Sequence, residues 1–201
     1  MRGLYLVTPN WDDTDRLLDV TAQALRAGAA LIQYRHKDAG PDLRREQASA
    51  LLALCRRHDR PFVVNDHVQL CMDLDADGIH VGGQDAPLAA VRGLLGPDKI
   101  VGASCYGDLE LARQAQSAGA SYVAFGGFYP SLVKKYAVTT PPDIVLQAKA
   151  SLCMPVVVIG GMTAANARPL VARGADMVAA ISSVVQAPDP YSAAREFVAL
   201  F

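Results

Sequence analysis

The chain lacks long apolar runs, paired cysteines and a charge excess of either sign. No stretch approaches the roughly 18 consecutive apolar residues that a membrane-spanning helix needs. The net charge of −1 argues against bulk electrostatic binding to nucleic acid or to anionic membranes, so neither is expected as a partner. The four cysteines, Cys55, Cys71, Cys105 and Cys153, show no CxxC spacing. They read as buried free thiols of a reducing compartment, and the expected location is the cytoplasm. The N-terminus runs straight into Gly3-Leu4-Tyr5-Leu6-Val7-Thr8 without a basic segment and a long apolar stretch, so no signal peptide is expected. GxSxG, HExxH and Walker motifs are missing. His36, His58 and His67 have no zinc-ligand spacing, and His80 sits inside an apolar run, where a packed side chain is expected. There is neither a low-complexity stretch nor an evident linker, so residues 1–201 are expected to form one domain.

What is present is a core-rich chain, 51% hydrophobic and 19% charged, with seven short apolar runs that each end in a polar or glycine-rich cluster. Leu31-Ile32 leads into Gln33-Tyr34-Arg35-His36-Lys37, Phe62-Val63-Val64 into Asn65-Asp66, and Ile79-His80-Val81 into Gly82-Gly83-Gln84-Asp85. Ile100–Ala103 leads into Ser104, and Tyr122–Phe125 into Gly126-Gly127 and a long connection to Pro141. Val156–Ile159 leads into Gly160-Gly161, and Met177–Ile181 into Ser182-Ser183. Short, Val/Ile-rich runs suit parallel strands buried on both faces. If all run the same way, their polar ends share the carboxyl rim, where ligands bind in closed and open α/β sheets.

Segments with helical periodicity separate the runs: 13–26, 41–58, 68–73, 87–95, 108–118, 142–150, 163–173 and 190–200. Pro41 suits a first helical turn, and Asp108 and Thr163 are expected N-caps. A small-residue helix stop precedes alternate strands, at Ala27-Gly28-Ala29-Ala30, Asp75-Ala76-Asp77-Gly78, Ala118-Gly119-Ala120-Ser121 and Arg173-Gly174-Ala175-Asp176. These sites recur about every 45 to 55 residues, the length of two βα units. With the strand at Val7 there are eight strand–helix units, and the expected fold is a (β/α)8 TIM barrel. An open doubly wound sheet is the alternative. The connection from Gly126 to Pro141 exceeds the usual βα loop and is a candidate lid.

Several of the rim residues have the chemistry of an anion site. Gln33, Arg35 and Lys37 alternate, so on an extended strand they point to one side, and two adjacent cations favour an anion between them. The local alternative is a solvated loop with Asp38 as counter-charge. Asp66 and Asp85 follow consecutive strands. Two close carboxylates repel unless protonated or bridged by a cation, and an oxygen-rich Mg²⁺ site beside Asn65 resolves this. The structural alternative is that each aspartate caps the next helix. Gly160-Gly161 and Ile181-Ser182-Ser183 follow strands seven and eight, the usual phosphate site of this barrel. Lys134 lies in the long loop between Ser131 and Lys135. From these residues alone, the reaction is isomerisation, aldol chemistry or displacement of pyrophosphate.

In order and spacing these segments resemble the thiamine phosphate synthase family over nearly the whole chain. The segments are Tyr5–Thr8, Gln33-x-Arg35-x-Lys37, Val64-Asn65-Asp66, Ala76–Gly82 with Gln84-Asp85, Gly102-Ala103-Ser104, Gly119–Val123, Tyr129-Pro130-Ser131 with Lys134, Val158–Gly161, and Gly174-Ala175-Asp176 leading to Ile181-Ser182. The resemblance implies a Mg²⁺-dependent transferase that joins hydroxymethylpyrimidine pyrophosphate to hydroxyethylthiazole phosphate. Pyrophosphate leaves first, and a pyrimidine methyl cation is captured by the thiazole nitrogen. The resemblance assigns Asp66 and Asp85 to Mg²⁺. It gives Arg35, Lys37, Asn65, Ser131 and Lys134 to the pyrophosphate, Gln33 and Ser104 to the pyrimidine, and Gly161, Ile181 and Ser182 to the thiazole phosphate. Arg35, Lys37, Lys134 and Ser104 are the expected catalytic group. A homodimer is a further expectation.

The chain departs from the family pattern at Gly126-Gly127, where Gly-Pro is usual, and at Ser131-Leu132-Val133-Lys134, where Thr-x-Thr-Lys is usual. Val133 loses a hydroxyl, so weaker activity or altered loop closure is expected. The rival on the same fold is a thiazole tautomerase, which relies on a histidine where this chain has Tyr106. A non-catalytic thiamine-phosphate binder is the third reading, opposed by Arg35, Asp66, Asp85 and Lys134.

Overall fold

A computed structural model describes residues 1–82, 87–130 and 139–201 of the chain. Among these residues the strands are β1 (Gly3–Val7), β2 (Leu31–Tyr34), β3 (Phe62–Asn65), β4 (Gly78–Val81), β5 (Ile100–Tyr106), β6 (Tyr122–Phe125), β7 (Val156–Ile159) and β8 (Met177–Ala180). The helices are α1 (Thr14–Ala27), α2 (Pro41–Arg57), α3 (Val68–Asp73), α4 (Leu88–Leu95), α5 (Leu109–Ser117), α6 (Ile144–Ser151), α7 (Ala164–Ala172), α8 (Ser182–Val185) and α9 (Pro190–Val198). Each strand pairs in parallel with the next, and β1 pairs with β8, closing the barrel. The closed ring rules out the open doubly wound sheet. Among the described residues no helix is long and apolar enough to cross a membrane.

Local chemistry sets the helix ends. Asp13, Asp108 and Asp189 each accept a backbone N–H of the following turn, and Thr163 forms a reciprocal capping box with Asn166. Gly28, Gly119 and Gly174 take positive φ just after α1, α5 and α7, as a left-handed helix stop requires. The recurrent helix stops also have a second role. Asp77 Oδ2 accepts the Phe62 N–H at 2.8 Å, Ser121 Oγ the Val101 N–H at 3.0 Å, and Asp176 Oδ2 the Val156 N–H at 2.8 Å. The polar residue before alternate strands therefore satisfies an N–H within the first two residues of the strand beside it, at the barrel's amino-terminal end.

Strand side chains alternate between two cores. One alternation set, with Leu4, Leu6, Ile32, Val64, Val101, Val158 and Val178, packs under the helices. The other fills the barrel with Tyr5, Val7, Leu31, Val63, Tyr122, Val157 and Met177. Gly102 pairs with Tyr122 across β5 and β6, and a Cβ there would sit 2.0 Å from the tyrosine ring. The glycine is what admits a tyrosine to the barrel interior.

Candidate active site

The carboxyl ends of β2 and β3 bring three of the expected residues together. Lys37 Nζ lies 3.5 Å from Asp66 Oδ2, which also accepts a hydrogen bond from Asn65 Nδ2 at 2.5 Å. Asp66 has φ 62° and donates its N–H to the His80 carbonyl. The cap before α3 is His67, with no side-chain cap bond. Asp66 therefore does not cap α3, which removes the structural alternative for that residue and leaves its carboxylate on the rim. Asp38 accepts from Asn10 Nδ2 at 2.6 Å.

The expected extended strand through Lys37 is corrected. β2 ends at Tyr34, which pairs with Val64 of β3, one residue beyond the last β1–β2 pair, Val7 with Gln33. Beyond it the Thr8 N–H meets the Gln33 carbonyl, and the Thr8 side chain takes over. Its Oγ1 accepts the Arg35 N–H at 2.8 Å and donates to the Arg35 carbonyl at 3.3 Å. The buried Thr8 thus anchors the backbone that carries Arg35 and Lys37.

Inside the barrel, a polar chain crosses from β2 to β5. Gln33 Nε2 donates to the Tyr5 hydroxyl, which lies 2.6 Å from the Tyr122 hydroxyl. Tyr122 is 2.9 Å from His80 Nδ1, and His80 Nε2 is 2.8 Å from Ser104 Oγ. The His80 ring stacks on Tyr122, with centroids 5.6 Å apart. Burial pushes both phenols well above their ordinary pKa, so both stay neutral. His80 is packed, as its position in an apolar run predicts, and it is also hydrogen-bonded at both ring nitrogens. Tyr5 and Tyr122 were missed as site residues. The available signal was a tyrosine at an inward strand position beside Gly102, where a phenol needs a polar partner.

A cavity of about 740 Å³ opens at the ends of β5 to β8. Ser104, Gly161, Ile181 and Ser182, all expected substrate contacts, line it together with Tyr106 and Tyr129. The Gly161 carbonyl accepts from Asn166 Nδ2 at 2.9 Å, and the Asn166 carbonyl accepts from Tyr129 at 3.0 Å. These bonds tie the β7 turn to α7 and to the loop after β6. Ser182 opens α8, and Ile181 precedes it in a non-helical conformation. Tyr106, with φ 53°, follows a register shift in β5 and takes the position where the tautomerase reading needs a histidine. Asp85, Ser131 and Lys134, together with Gln84, Val133 and Lys135, lie outside the described residues, as does half of the expected lid.

A carboxyl-rim cavity backed by a glycine turn after β7 and a serine-headed helix after β8 lies where (β/α)8 barrel enzymes carry their active sites. The thiamine monophosphate synthase family model matches residues 4–184. A thiamine-phosphate synthase of Janthinobacterium sp. (strain Marseille) is 63% identical over 201 residues, covering 100% of this chain and 97% of the relative. One from Methylobacillus flagellatus is 49% identical over 202 residues, covering 100% and 96%. The solved thiamine phosphate pyrophosphorylase of Pyrococcus furiosus superposes with a TM-score of 0.86 at 32% identity, covering 98% of this chain and 94% of that one. The chain belongs to the thiamine monophosphate synthase family.

Proposed function

We propose that the chain condenses hydroxymethylpyrimidine pyrophosphate with hydroxyethylthiazole phosphate, forming thiamine phosphate and releasing pyrophosphate. The observation that carries this reading is the single cavity that Ser104 shares with Gly161, Ile181 and Ser182. One volume there serves both a pyrimidine contact and a phosphate cradle. The family membership and the names of the relatives support the same reaction.

Each group has a distinct task in this proposal. Gly161, Ile181 and Ser182 hold the thiazole phosphate through backbone N–H groups and a hydroxyl, so the ring nitrogen faces the pyrimidine methylene carbon. Gln33 and Ser104 orient the pyrimidine. Arg35, Lys37 and Lys134, with Asn65 and Ser131, bind the pyrophosphate and stabilise the charge it gains as the C–O bond breaks. The aminopyrimidine delocalises the positive charge left behind, and the held thiazole nitrogen then attacks. Positioning and leaving-group stabilisation supply the catalysis, with no enzymatic general base.

Asp66 and Asp85 are proposed to hold Mg²⁺. The Asp66 carboxylate sits on the rim, outside any helix cap, beside a carboxamide and an ammonium group. Such hard oxygen donors next to a phosphate-binding cation suit this metal. When bound, Mg²⁺ neutralises charge on the departing pyrophosphate.

The test is to incubate the purified chain with both substrates and Mg²⁺ and follow thiamine phosphate by mass spectrometry. Product that needs both substrates supports the proposal. A folded chain that makes none overturns it.

A further inference from the structure

Gln33 and Ser104 lie on different strands, yet a continuous line of buried hydrogen bonds joins them: Gln33–Tyr5–Tyr122–His80–Ser104. Each phenol has one proton to donate, so the line has a direction. Tyr5 accepts from Gln33, so its proton goes to the Tyr122 oxygen, and the Tyr122 proton goes to His80 Nδ1. A neutral histidine that accepts at Nδ1 has its proton on Nε2. That N–H then donates to Ser104 Oγ. The reverse direction needs the Gln33 carboxamide turned over, with Oε1 in place of Nε2 against the Tyr5 hydroxyl.

Ser104 lines the cavity, whereas Tyr5, Tyr122 and His80 do not. A serine oxygen that already accepts from His80 has its own proton to give elsewhere. A ring nitrogen of an aminopyrimidine is a matching acceptor.

We propose that His80 and Tyr122 are positioning residues for the pyrimidine. The one-way chain from Gln33 holds His80 as its Nε2–H tautomer, and that N–H turns Ser104 into a dedicated hydrogen-bond donor to a pyrimidine ring nitrogen. The proposal rests on the reading of the cavity as the pyrimidine site. Tyr122→Phe deletes one link without touching substrate. Without that donor nothing fixes which ring nitrogen carries the proton, so Ser104 is no longer held as a donor.

Two measurements test this. The first is ¹⁵N NMR of the histidine rings at neutral pH, with the His80 signals assigned by their loss in His80→Gln. The wild-type chain should carry the proton on Nε2, and Tyr122→Phe should shift the Nδ1 signal away from that of a hydrogen-bonded acceptor. A wild-type ring protonated on Nδ1 overturns the proposal, whatever the variant does. The second is a double-mutant cycle on thiamine phosphate formation. Tyr122→Phe should lower kcat/KM for the pyrimidine pyrophosphate about tenfold and leave KM for the thiazole phosphate within about twofold. In a Ser104→Ala background, the same change should cost less than about twofold. A general structural defect predicts the same loss in both backgrounds, and that result overturns the proposal. A wild-type chain with the Nε2–H tautomer but no thiamine phosphate formation overturns the substrate assignment instead and leaves the hydrogen-bond chain standing.

Discussion

A Cβ atom on Gly161 would lie 2.2 Å from the carbonyl oxygen of Pro130. The glycine turn after β7 and the segment after β6 are therefore in backbone contact, with no room for a methyl group. Gly161→Ala must push one of them away from the cavity that both line. KM for the thiazole phosphate should rise about tenfold or more, which corresponds to about 1.4 kcal/mol of binding, while KM for the pyrimidine pyrophosphate stays within about twofold. Steady-state kinetics with each substrate varied checks this, and equal losses for both would contradict it.

Asp66→Asn separates the metal reading from a structural one. Asn tolerates the left-handed backbone at Asp66, and the ion pair with the half-exposed Lys37 is of the kind worth about 0–1 kcal/mol. The melting temperature should thus fall by no more than about 2–4 °C. The Mg²⁺ concentration for half-maximal turnover should rise about tenfold, as expected when an anionic oxygen ligand becomes neutral. An unchanged Mg²⁺ dependence would remove Asp66 from the metal site.

The buried thiols set an alkaline limit on stability. Burial pushes Cys55 and Cys105 up to about 12 and Cys71 to about 11, against an ordinary value of 9.0. Below pH 9 the thiols are protonated in both folded and unfolded chains, and the stabilisation is complete. Above it, the unfolded thiols ionise while the folded ones keep their protons, so stability falls as pH rises towards 11–12. Tyr5 and Tyr122 add to the same trend above their ordinary value of 10.0. Thermal melts should show a falling midpoint from pH 9 upward. Thiol labelling of the native chain at pH 8 should modify the exposed Cys153 and spare Cys55, Cys71 and Cys105.

Val133 is the departure from the family pattern with a direct test. Val133→Thr restores a hydroxyl worth about 0.5–3 kcal/mol against a charged acceptor. Turnover or pyrimidine pyrophosphate affinity should improve by at least about twofold. No gain in either would show that the loop does not use this position.

Much of the fold was legible because its signals are local. Short Val/Ile runs, the caps at Asp108 and Thr163, and the stops at Gly28, Gly119 and Gly174 each act within one turn or strand. The helix over Val68–Asp73 matches its expected bounds for the same reason. The end of β2 was misjudged because it depends on where β1 and β3 stop pairing, a property of the neighbouring strands.

The site was legible where the residues lie on strand ends that the barrel gathers by topology alone, as at Ser104, Gly161, Ile181 and Ser182. The polar chain was not, because its partners are far apart in sequence. Tyr5 and Tyr122 are separated by 117 residues, and His80 lies 42 from Tyr122 and 24 from Ser104. No local spacing marks such contacts. Only barrel closure, with a side-chain-free Gly102 opposite Tyr122, creates them.

The central claim is tested most directly by following pyrophosphate and thiamine phosphate together during turnover of the two substrates, with and without a Mg²⁺ chelator. The account predicts equal amounts of both products, and loss of both on chelation and in Asp85→Ala. A folded chain that forms neither product, or that forms both at an unchanged rate without Mg²⁺, would contradict it.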